Sequence, residues 1–154
     1  HLDFRRQRQM CIRDSSFMKE DKIMRDELIN LDMEKFIFTN GSAEHAENIL
    51  SHLGVYDLFG RDKVFDIQDA GYVPKPEAKT FDLMLNKFKI NPKETIYIED
   101  IAKNLGIGHE RGCYTVWLIN DEHFGKIDSN KDYISHKIEN LSLFLKEIRL
   151  LKNR

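Results

Sequence analysis

Apolar positions along the chain repeat with two alternating periods. Ile23, Met24, Leu28 and Leu31 fall at helical spacing and lead into a short apolar run, residues 35–38, which predicts a strand. After the turn Thr39-Asn40-Gly41, Ser42 is placed to cap a helix whose Ala43, Ala46, Leu50 and Leu53 share one face, with Gly54 as its stop. Residues 64–67 predict a second strand. A loop with Gly71, Pro74 and Pro76 then opens a helix carrying Phe81, Met84, Leu85 and Phe88, which stops before Asn91-Pro92. Residues 95–98 predict a third strand, Ile101, Leu105 and Ile107 a helix ending near Gly112, and residues 114–119 a fourth strand. Leu141, Phe144, Leu145 and Ile148 form the apolar face of a closing helix. Short strands alternating with helices imply an α/β fold: a three-layer sandwich, with a parallel Rossmann-like sheet covered on both faces.

Residues 1–15 share neither period and hold Arg5, Arg6, Arg8 and Arg13. They are expected to be a non-native or disordered segment, since the run from Arg6 to Ser15 resembles a translated sequencing adapter. Residues 16–154 are expected to form the folded domain.

Composition narrows the function classes. With 154 residues, 41% hydrophobic and 32% charged, the chain suits one domain with a well-solvated surface. Its net charge of -2 argues against a nucleic-acid polymer or an anionic membrane as partner. Cys11 and Cys113 are too few for a disulfide framework, and no apolar run approaches the roughly 20 residues that span a bilayer. A cytoplasmic location is the expectation.

In an open parallel sheet, ligands bind beyond the carboxyl ends of the strands, so the polar residues there carry the chemistry. Thr39 and Asn40 follow the first strand, Lys75 lies in the loop before the third helix, and Glu99 and Asp100 follow the third strand with Asn104 one turn later. A hydroxyl, an ammonium and paired carboxylates are what a phosphoryl group beside a divalent metal requires. Taken singly, each has a plainer role: turn and cap for Thr39 to Gly41, solvated loop lysine for Lys75, helix cap for Asp100. Cys113 beside Gly112 reads as a packed cysteine rather than a nucleophile, and His109, His123 and His136 lack metal-ligand spacing and read as loop or helix residues.

In order, the strings from Phe36 to Gly41, from Tyr72 to Pro76 and from Tyr97 to Leu105 resemble motifs two, three and four of the haloacid-dehalogenase-like hydrolase superfamily. His45-Ala46-Glu47, Val64-Phe65-Asp66-Ile67 and the segment from Glu99 to Leu105 resemble its pyrimidine 5′-nucleotidase branch. The resemblance spans about residues 17–119. It implies an Mg²⁺-dependent phosphomonoesterase acting on a small phosphate ester, a pyrimidine nucleotide above all. Thr39, Asn40 and Lys75 would bind phosphate, with Lys75 also neutralising the nucleophile. Asp100 would ligate Mg²⁺, Asn104 would hold a metal-bound water, Glu99 would support both, and His45 would reach the substrate. The family's nucleophile lies in an Asp-x-Asp-x-Thr motif on a first, central strand, and no Asp-x-Asp occurs in the chain. The expectation is therefore an N-terminally truncated core, without the first strand and most of the cap, and inactive alone. A phosphatase of sugar phosphates or phosphoglycolate, and a non-catalytic phosphate or partner binder, are the competing readings.

Overall fold

The computed structural model describes residues 21–152. The assignment of residues 1–15 to a foreign or disordered arm lies outside the described residues.

Helix α1, Lys22–Asn30, begins at Asp21, whose carboxylate accepts the Met24 amide at 2.8 Å and also the hydroxyl of Ser142 at 2.9 Å. Its buried side is Met24, Glu27 and Leu28, while Ile23, expected on the apolar face, is exposed. Strand β1 is Ile37–Phe38, shorter than the four residues predicted. Helix α2, Ala43–His52, is capped by Ser42 as expected and ends where Gly54 adopts φ 72. Strand β2 is Val64–Phe65. Asp66 and Ile67, predicted to continue it, instead turn the chain. The buried Asp66 carboxylate accepts the amides of Gln68 and Asp69 and holds the first amide of α2, that of Ala43, at 2.8 Å. Helix α3, Ala78–Phe88, buries Phe81 and Met84. Strand β3 is Ile96–Glu99, followed by a single 3₁₀ turn and helix α4, Leu105–Glu110. Strand β4 is Tyr114–Leu118, and helix α5, Leu141–Lys152, closes the described domain.

All strand pairs are parallel, in two sheets ordered β1-β2 and β3-β4-β5. Strand β5, His136–Ile138, was not expected: His136, read as a loop or helix residue, pairs with Val116. Alternation along the strands sends Phe38, Phe65, Tyr97 and Trp117 to one face, against α3 and α4. The opposite face presents Ile37 to α1, α2 and α5, and Ile96, Ile98, Val116 and Ile138 to Phe144 of α5. Helix, sheet and helix thus form three layers, as the periodicity implied. No described helix is long and apolar enough to cross a membrane.

Candidate functional site

The carboxyl ends of β1 and β3 are joined by one side chain. The chain leaves β2 through the Asp66 turn, reverses at Gly71 and Tyr72, which both take positive φ, and presents Lys75. Two bonds fix this loop: the Thr80 hydroxyl donates to the Val73 carbonyl at 2.7 Å, and the Lys75 amide donates to Asn40 Oδ1 at 2.7 Å. The Lys75 ammonium then donates to the Phe38 carbonyl at 2.8 Å and to Glu99 Oε1. It also stands 4.7 Å from the centre of the Phe38 ring. Residues 37 and 24 positions away from Lys75, Phe38 and Glu99 on two different strands, are thus brought to one ammonium.

Glu99 is 6% exposed, and Lys75 reaches it from the loop. Glu99 Oε1 also accepts from the Tyr97 hydroxyl at 3.1 Å and from Asn104 Nδ2 at 3.4 Å. A buried charge is tolerated only when paired and hydrogen-bonded, and three donors meet that demand. Asp100, one residue on, is open to solvent and does not cap the following turn, which starts at Ile101 without a side-chain cap. Its carbonyl accepts from Trp117 Nε1 at 3.1 Å and from Asn120 Nδ2 at 2.8 Å, so the peptide is clamped in place. Desolvation by the surrounding protein, then the charge of neighbouring Glu99, raise the Asp100 carboxyl above the ordinary range.

At the end of β1, the Thr39 amide donates to the Phe65 carbonyl, extending the ladder, and its hydroxyl oxygen accepts the Gly41 amide at 2.9 Å. The His45 ring stands over this turn: a Cβ added at Gly41 would lie 3.2 Å from His45 Cδ2 and 3.3 Å from Thr39 Oγ1. Glycine at 41 therefore leaves room for both side chains.

The structure brings Asn40, Lys75, Glu99 and Asn104 into one bonded network. It sets Asp100 beside that network, and Thr39 and His45 beside each other at the end of β1. Tyr97, Trp117 and Asn120 escaped the sequence reading although each bonds a site residue. The first two read as apolar strand positions; the signal for Tyr97 was its place two residues before Glu99, on the same face of a strand. Among the described residues no three His, Cys, Asp or Glu side chains group as metal ligands. Cys113 is buried and its thiol is pushed up to about 11 by desolvation, consistent with packing and not with nucleophilic use.

The fold recurs in solved structures. The L-2-haloacid dehalogenase from Xanthobacter autotrophicus with chloropropionic acid covalently bound superposes with a TM-score of 0.62 at 15% identity, over 81% of this chain and 59% of that one. A β-phosphoglucomutase from Clostridium difficile gives 0.56 at 19% identity, over 83% and 55%. The chain thus spans somewhat over half the length of these neighbours, and at such identities the likeness concerns the fold. A family model described as haloacid dehalogenase-like hydrolase matches residues 24–110, which include Thr39, Lys75, Asp100 and the whole network between them, and the chain belongs to that family.

Proposed function

We propose that this chain is the phosphate-holding part of an Mg²⁺-dependent phosphomonoesterase for pyrimidine nucleoside 5′-monophosphates, and that it does not turn substrate over alone. The observation that carries this reading is the convergence of the β1 end, the Lys75 loop and the β3 end on one ammonium. In that arrangement the Thr39 hydroxyl and the Asn40 amide hold phosphoryl oxygens, and Lys75 neutralises charge on the phosphate. Donors fixed in advance, as Lys75 is, cost little reorganisation when charge moves in the transition state. His45, beside the Thr39 turn, reaches the ester side of the substrate.

The donor set bears on the metal. Asp100 offers an accessible carboxylate, whereas Glu99 Oε1 is committed to three donors. One carboxylate is too few for a hard cation that prefers several oxygen ligands, so the described residues fit part of an Mg²⁺ site, with Asn104 and Glu99 behind Asp100. Mg²⁺ bound there would supply charge neutralisation for the phosphate. The second carboxylate and the nucleophile belong to the Asp-x-Asp-x-Thr motif, which is absent from the 154 residues. Support for the truncated reading comes from the sheet itself. Among the described residues β1 pairs only with β2, and β3 only with β4, so each of the two strands that carry site residues has an edge to which a further strand could pair.

The test joins a first-strand and cap segment bearing Asp-x-Asp-x-Thr to the domain and measures phosphate release from a substrate panel with Mg²⁺. Cytidine and uridine 5′-monophosphate should be the best substrates. Preference for sugar phosphates or phosphoglycolate would overturn the substrate class, and phosphate binding without turnover in the joined protein would overturn the enzyme reading.

A further inference from the structure

Tyr97 is a strand residue by every sequence criterion, yet its buried phenol bonds the carboxylate at the centre of the site. Its side chain is on the same face of β3 as Glu99, two residues on, and the residue is 7% exposed. The hydroxyl donates to Glu99 Oε1 at 3.1 Å, the same oxygen that receives the Lys75 ammonium and the Asn104 amide. The ring is seated by two neighbours. Phe81 of α3 meets it edge-on with centroids 5.2 Å apart, and Gly108 of α4 leaves it space. A Cβ at Gly108 would lie 2.5 Å from Tyr97 Cδ1 and 3.2 Å from Cε1, so a helix interior position, where glycine is unfavourable, is glycine to admit this ring. Burial and then the Glu99 charge raise the phenol well above its ordinary range, so it stays a donor.

We propose that Tyr97 is a positioning residue of the site: its hydroxyl, held in place by the gap at Gly108, fixes the Glu99 carboxylate and through it the Lys75 ammonium. The inference rests on the phosphate-site reading above for its consequence, but its geometry is independent of substrate. Without the phenol, Glu99 Oε1 keeps two of its three donors and loses the one supplied from its own strand. The carboxylate is then free to rotate, and the ammonium follows it.

The experiment is NMR of the chain labelled with ¹³C at lysine Cε, with the Lys75 signal assigned by Lys75→Arg. In the wild type the two Hε protons of Lys75 should be resolved, as for a side chain held in one geometry. Tyr97→Phe, which removes one oxygen, should merge them while leaving the other lysines unchanged. Gly108→Ala, which displaces the ring, should do the same, and Tyr114→Phe, at an exposed tyrosine, should not. Inorganic phosphate titrated into each sample should shift the Lys75 signal, with affinity about tenfold weaker in Tyr97→Phe, the size of one hydrogen bond to a charged group. Resolved Lys75 protons in Tyr97→Phe would overturn the proposal. If phosphate shifts no lysine signal in the wild type, the phosphate-site reading fails instead, and the Hε splitting still decides the role of Tyr97.

Discussion

Lys75→Met removes the ammonium that joins β1 to β3 and leaves a carboxylate whose side chain is only 5% exposed. Breaking a buried pair from one side costs about 3–5 kcal/mol. Glu99 keeps the Tyr97 and Asn104 donors, which places the loss at the lower end, about 3 kcal/mol. For a domain of this size that lowers the unfolding midpoint by roughly 6–12 °C. Glu99→Gln leaves the ammonium with the Phe38 carbonyl and ring and costs about 2 kcal/mol, one hydrogen bond to a charged group. The double variant buries no charge at this point, so its loss should fall well short of the sum. The coupling is expected at about 2 kcal/mol, within the range for residues sharing a network. Urea unfolding followed by the fluorescence of Trp117, the single tryptophan and a buried one, measures all four proteins. Additive losses, with coupling under about 0.5 kcal/mol, would show that the pair does not hold the two strand ends together.

Other outcomes follow from the same geometry. Because the Asp100 carboxyl is raised in the fold, its protonated form favours folding: that contribution is present below the ordinary aspartate range and is lost as pH rises through the raised value. Asp100→Asn should therefore match the wild type in stability near pH 3 and exceed it near pH 7; equal stability at both would refute the assignment. Cys113, with its thiol pushed up to about 11, should react slowly with a disulfide reagent at neutral pH in a Cys11→Ser background, faster as pH rises and at once in denaturant. Fast reaction of the native protein at pH 7 would contradict its packed role. Asn120→Ala removes one of the two side-chain donors on the Asp100 carbonyl and should cost about 1 kcal/mol in urea unfolding. No loss at all would show that Trp117 alone holds that peptide.

The parts of this protein visible in its sequence are those governed by local pattern. The apolar spacing of Phe81 and Met84, the Ser42 cap and the run into Glu99 each state an element within a few residues, and the polar residues after the strands fall where a parallel sheet gathers them. Strand β5 was hidden because His136-Lys137-Ile138 has one apolar residue and no period. It exists by backbone pairing to β4 and by Ile138 packing with Phe144. Strand β2 ends early because the Asp66 carboxylate prefers three backbone amides to another ladder step, a competition that residue identity alone does not resolve. The network under Glu99 was hidden for a third reason. A tyrosine inside an apolar strand looks like core until its hydroxyl is seen to reach a carboxylate, and its glycine partner lies eleven residues on, in another element.

The central claim is that this chain holds phosphate but lacks the group that attacks it. Covalent catalysis divides the reaction into two easier steps, and in the proposed function Thr39, Lys75 and Asp100 would position and neutralise without supplying a nucleophile. The most direct measurement incubates the purified chain with Mg²⁺ and a pyrimidine nucleoside 5′-monophosphate and quantifies released phosphate beside a Lys75→Ala control. The account predicts no release above the control. Steady turnover that disappears in Lys75→Ala would contradict it.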